Sequence, residues 1–88
     1  MKKINIAITG CLGRMGQQLI KSSKNDKILK LVALTENKKI KRKINGVNIN
    51  LNEENTFKNT HLIIDFTTPK STFQVLKIAS KLKKRVVI

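Results

Sequence analysis

Three glycines and an arginine crowd the stretch ITGCLGRMGQQLI, residues 8–20, where an apolar run passes into a helical pattern. Gly10, Gly13 and Gly16 form a G-x-x-G-x-x-G arrangement. The first can turn the chain out of a strand, the second can let backbone come close to a ligand, and the third can let the helix pack against the sheet. A helix starting there leaves its first N–H groups without intrahelical partners and presents the positive end of its dipole. Such a turn takes an anion, phosphate above all. Arg14 agrees with this, because a cation in a first helical turn is disfavoured by about 0.3–1 kcal/mol at an exposed site. A bound anion reverses that sign. The alternative is a solvated arginine on a basic surface.

The second feature is an acid, Glu36, which closes an apolar run twenty residues after Gly16. Dinucleotide-binding folds place an acid there to accept hydrogen bonds from the ribose hydroxyls. Asn37, Lys38 and Lys39 follow at once, and a lysine at that point can pair with a 2′-phosphate. The acid argues for NADH and the lysines for NADPH, so either coenzyme is expected. Leu12 fills the place of the second glycine in the commoner G-x-G-x-x-G pattern. Cys11 reads as a small residue that the loop tolerates, and Met15 as core. Asp65 sits within the apolar HLIIDF. A carboxylate there must be hydrogen-bonded, which favours a structural role over catalysis. His61 reads as a partly exposed edge residue.

The elements that position these groups follow from periodicity. Residues 3–9, KINIAIT, read as a buried strand, and 13–24 as a helix with Met15, Leu19 and Ile20 on one side. A second strand is expected at 29–35. The polar stretch 37–59 offers only a short edge strand in GVNINL and a helical turn in EENTFKN. HLIIDF is a further strand. A helix then starts with Thr68 as N-cap and Pro69 at its first position, placing Phe73, Leu76, Ala79 and Leu82 on one face. RVVI begins a last strand. Apolar strands alternating with amphipathic helices predict an α/β fold, a parallel sheet with right-handed crossovers and helices on both faces. Ligands bind such sheets at the carboxyl ends of the strands. The pattern stops where another ligand-facing loop is due, so we expect a fragment, with one sheet edge and part of a helix layer uncovered.

Composition bounds the reading further. Eighty-eight residues allow one small domain. No stretch is apolar for long enough to span a bilayer, and MKKINIAITG lacks the cleavage pattern of a signal peptide. One cysteine fits a reducing cytoplasm. The net charge of +14 raises a nucleic-acid partner as a rival. Against it, the lysines are scattered along the chain, the Lys, Asn and Ile richness matches A/T-biased codons, and three Phe with no Trp or Tyr leave little stacking surface.

GCLGRMG, together with IIDFTTP, a helix and VVI, resembles the N-terminal domain of the bacterial 4-hydroxy-tetrahydrodipicolinate reductase family of lysine and diaminopimelate biosynthesis. The resemblance covers essentially the whole chain. It implies a partial Rossmann-type sheet, incomplete at its C-terminus, with residues 1–88 as the dinucleotide-binding domain. It also implies that Gly10, Cys11, Leu12, Gly13, Arg14 and Met15 bind the pyrophosphate of NADPH or NADH. Glu36 would bind the adenosine ribose, and Phe66 and Thr67 would line the nicotinamide side. Family members often carry arginine directly after the acid. Asn37 stands there, leaving the 2′-phosphate to Lys38 or Lys39. No catalytic residue and no metal ligand is assigned in this chain. By the resemblance, a Gly-Thr-Thr-Gly loop, a histidine-rich motif, a lysine general acid and a homotetramer interface lie beyond Ile88. The expected activity is hydride transfer from NAD(P)H to the pyridine-ring substrate, and the chain alone should catalyse nothing. The alternatives are the cofactor part of another NAD(P)-dependent dehydrogenase and a small basic nucleic-acid-binding protein.

Overall fold

The computed structural model describes residues 3–88. Its strands are β1 (Ile4–Thr9), β2 (Leu29–Thr35), β3 (Lys43–Ile44), β4 (Val47–Asn50), β5 (Leu62–Asp65) and β6 (Arg85–Val87). The helices are α1 (Arg14–Lys24), α2 (Glu54–Phe57) and α3 (Pro69–Leu82). One sheet runs in the order β3-β4-β2-β1-β5-β6. All neighbours are parallel except the β3–β4 pair.

Alternation along the strands divides the core between the two faces of the sheet. Ile6, Ile8 and Leu34 point one way and pack with Ile20 of α1. Ala7, Ala33 and Ile63 point the other way and pack with Phe57 of α2 and Val75 and Ala79 of α3. Helices thus cover both faces, as expected, and β1 lies between β2 and β5, the two strands whose ends flank the glycine loop.

Three details depart from the sequence expectation. Met15 is 60 % exposed rather than core. The buried side of α1 runs through Gly16, Ile20 and Ser23, and at 100° per residue Met15 falls well off that line. On α3 the inward stripe is Val75, Ile78, Ala79 and Leu82. Leu76 lies on its flank and Phe73 nearly opposite, so Phe73 is 76 % exposed. In the polar stretch, Asn45 and Gly46 both take positive φ, 51° and 80°. That is the two-residue turn that suits the twist of a hairpin. It folds Lys43–Ile44 back on β4, adding a strand to the one expected from GVNINL. At the other edge, β6 leaves Val87 and Ile88 exposed.

Candidate functional site

The loop between β1 and α1 is set by Gly10 and Gly16. Gly10 has φ of +65°, and a Cβ there would stand 2.9 Å from the Phe66 carbonyl oxygen. A Cβ on Gly16 would come within 2.6 Å of the Gly10 carbonyl oxygen and 2.9 Å of Cys11 Cα. These contacts are with backbone and cannot swing aside, so the fold itself requires both glycines. Gly13 differs. Its φ of −71° and ψ of 167° suit any residue, and its only near neighbour would be the Gly10 carbonyl oxygen at 3.3 Å. It is exposed and faces a cleft.

The loop's last three N–H groups are bonded internally. Cys11 N–H donates to the Thr35 carbonyl (3.2 Å), Leu12 N–H to Glu36 Oε2 (2.7 Å) and Gly13 N–H to the Gly10 carbonyl (3.1 Å). The next N–H groups, of Arg14, Met15 and Gly16, open α1 where no helix carbonyl can reach them. No side chain caps them, and no acid stands in that turn. The start of the helix therefore keeps its positive end unneutralised.

A cleft of about 310 Å³ opens beside this loop at the carboxyl ends of β1, β2 and β5. Its floor is Gly10 and Gly13, one wall is Glu36 and Asn37, and the other is Phe66, Thr67, Thr68 and Ser71. Six of the residues singled out in the sequence thus share one crevice. Glu36 is half-buried at the end of β2, and its N–H donates to the Asn50 carbonyl. Its Oε2 is engaged by Leu12, while no hydrogen bond among the described residues ends on Oε1.

The remaining candidates lie elsewhere. Cys11 is fully buried in the core beside Leu12, which is half-buried. Burial, and then the nearby Glu36 charge, push the Cys11 thiol up to about 11, so it stays neutral and unreactive near pH 7. Arg14 is exposed and lines a separate groove with Lys21 and Ile44. Met15 and Lys38 are exposed outside the cleft lining. Thr68 and Ser71 were not singled out as ligand contacts. The available signal was their position in the turn that opens a helix after a strand, the same context as the glycine loop. Thr68 does occupy the N-cap of α3, though its side chain makes no capping bond to the helix.

Asp65 is 3 % exposed. Its Oδ1 accepts from Thr9 Oγ1 (2.5 Å), Thr67 Oγ1 (2.5 Å) and Thr67 N–H (3.1 Å), and its Oδ2 from Thr72 Oγ1 (2.5 Å). Burial raises the carboxyl, but these donors outweigh it and hold the group below the usual aspartate range. His61 is exposed, and its Nδ1 accepts from Asn5 N–H at 2.9 Å. This fixes the start of β5 to β1, far from the cleft. Among the described residues no cluster of His, Cys, Asp or Glu could hold a metal, and no helix is long and apolar enough to cross a membrane.

Comparison with known proteins gives consistent matches. Residues 4–88 match the family model described as dihydrodipicolinate reductase, N-terminus. A 4-hydroxy-tetrahydrodipicolinate reductase of Pelagibacter ubique (strain HTCC1062) is 70 % identical over 88 residues, 100 % of this chain and 34 % of that protein. The enzyme of the same name from Buchnera aphidicola subsp. Cinara cedri (strain Cc) is 36 % identical, covering 98 % of this chain and 36 % of its own length. Among solved structures, dipicolinate-bound dihydrodipicolinate reductase from Paenisporosarcina sp. TG-14 superposes with a TM-score of 0.83 at 27 % identity, over 98 % of this chain and 37 % of that one. The chain spans about a third of the length of the curated relatives it matches.

Proposed function

The chain belongs to the dihydrodipicolinate reductase family, matching its N-terminal part, and we propose that it binds the NAD(P)H coenzyme of that reductase. The observation that carries the reading is Gly13. The backbone geometry demands glycine at positions 10 and 16 far more than at 13, and position 13 also lines the crevice. A small residue there, with an unstrained backbone and beside an uncapped helix start, leaves room for a diphosphate. The first-turn N–H groups of Arg14 and Met15 would hold it, and Glu36 Oε1 would accept from the adenosine ribose. The other nucleoside would then fall on the β5 side, against Phe66 and Thr67. When bound, the coenzyme supplies hydride. This chain's residues bind and orient it, and Asn37 and Lys38, beside the ribose acid, serve either NADH or NADPH.

In the full-length relatives the reaction is reduction of the dihydrodipicolinate-type substrate named for them. For this chain, substrate contacts and the acid that completes the transfer are assigned to sequence beyond the matched part, as is homotetramer formation. We expect the matched part, about a third of those relatives' length, to bind coenzyme without turning substrate over. The test is a titration of the purified chain with NADPH, NADH and a mixed-sequence oligonucleotide at two salt concentrations. Saturable dinucleotide binding is expected. Tight, steeply salt-dependent oligonucleotide binding without dinucleotide binding would replace this reading with the nucleic-acid one.

A further inference from the structure

Asp65 is the only carboxylate among the buried polar residues described here. It stands at the end of β5, one residue before the cleft wall. Burying a carboxylate is unfavourable beside an apolar side chain of similar size, even when it is fully hydrogen-bonded. Its partners define what it joins. Thr9 ends β1, Thr67 belongs to the cleft wall, and Thr72 lies in the first turn of α3. One carboxylate thus ties a strand end, a loop and a helix start. The loop has little else to fix it: Phe66 N–H bonds the Thr9 carbonyl at 3.3 Å, and Phe66 and Thr68 are exposed.

We infer that Asp65 is a positioning residue for the nicotinamide half of the coenzyme, holding Phe66 and Thr67 in place through its bonds to Thr9, Thr67 and Thr72. The inference rests on the dinucleotide reading above and deepens it. The loop it holds is the crevice wall opposite Glu36. A dinucleotide laid across the glycine turn, with its adenosine ribose on Glu36, meets that wall with its other nucleoside only. Loosening the wall should therefore spare the adenosine half.

The experiment compares NADH with ADP-ribose, which lacks nicotinamide, on the purified 88-residue chain. Asp65→Asn keeps the shape and removes the charge. Thr72→Val removes one anchoring hydroxyl outside the cleft lining, and Thr72→Ser retains it. Asp65→Asn and Thr72→Val should each weaken NADH about fivefold or more while leaving ADP-ribose within twofold, and Thr72→Ser should behave as the wild type. If Asp65→Asn does not fold, the Thr72 pair decides the matter. Equal losses for both ligands, no loss for either, or a wild type that binds both equally well would each overturn the positioning role. A wild type that binds neither ligand instead overturns the dinucleotide reading beneath it.

Discussion

Replacing Gly13 by alanine should separate binding from folding. The residue sits at the N-cap of α1 with φ of −71° and ψ of 167°, which alanine adopts freely. The new methyl meets the Gly10 carbonyl oxygen at 3.3 Å, so the loop must give by a few tenths of an ångström. Alanine is a poorer cap than glycine by about 0.5–1 kcal/mol. The smaller entropy of the unfolded chain returns about 0.4–1 kcal/mol. Stability should therefore change by less than ~1 kcal/mol. Binding should suffer more, because a methyl on the cleft floor keeps a diphosphate from the first-turn N–H groups. Losing one hydrogen bond to a charged group removes about 1.5–3 kcal/mol, roughly a ten- to hundredfold rise in Kd. Isothermal titration with NADH and NADPH, paired with urea unfolding, measures both quantities. Gly16→Ala supplies the contrast. Its Cβ at 2.6 Å from backbone should destabilise the fold itself, by about 1–3 kcal/mol or more. A folded Gly13→Ala protein that binds either coenzyme as tightly as the wild type would refute the argument.

Three further outcomes are expected. Asp65 is held below the usual aspartate value of 3.8 in the folded chain, so its contribution is complete above that value and is lost as pH falls through the folded-state value. Urea unfolding below about pH 4 should show stability dropping with acid, and Asp65→Asn should flatten that slope. The buried Cys11 thiol, neutral with its value near 11, should resist maleimide at pH 7 in the folded chain and react at once in denaturant; equal rates in both states would contradict its place in the core. Lys38→Glu should weaken NADPH by about two- to fivefold, the scale of one exposed ion pair, and leave NADH nearly unchanged. Competition titrations with both coenzymes check it.

Much of this was legible because the signals are local. Strand–glycine–helix order placed Gly10, Gly13 and Gly16 from a few neighbours, and the spacing to Glu36 is fixed by one helix and one strand of ordinary length. Asp65 was readable as structural since a carboxylate inside an apolar run has few other options. The faces of the helices were harder. Leucine and phenylalanine on α3 suggested one stripe, but which stripe turns inward depends on how the helix sits over Ala7 and Ile63, which no short window contains. The β3–β4 hairpin had a signal, the Asn45–Gly46 pair, but it lay within a lysine- and asparagine-rich stretch that masked it.

Two carboxylates, Glu36 in the crevice wall and Asp65 behind the opposite one, fasten the loops that form the site. Glu36 accepts the Leu12 N–H at 2.7 Å, so the acid we propose for the ribose also fastens the loop that forms the floor. Asp65 does the same for the opposite wall through Thr67 and Thr72. Asp65 engages the fold with both oxygens, whereas Glu36 uses Oε2 and has no hydrogen bond on Oε1 among the described residues, the atom we propose for the ligand. Removing Glu36 should then do two things at once: lose a ribose contact and release Leu12. Glu36→Gln can turn its one amide oxygen to the Leu12 N–H and leave its NH2 toward the ribose oxygens, whereas Glu36→Ala offers neither group. The alanine variant should consequently weaken ADP-ribose by a larger factor than the glutamine variant. It should also speed hydrogen exchange of the Leu12 amide, which the glutamine variant should largely protect. Matching exchange rates in the two variants would mean that the carboxylate does not hold the loop, and that the bond to Leu12 does not shape the site.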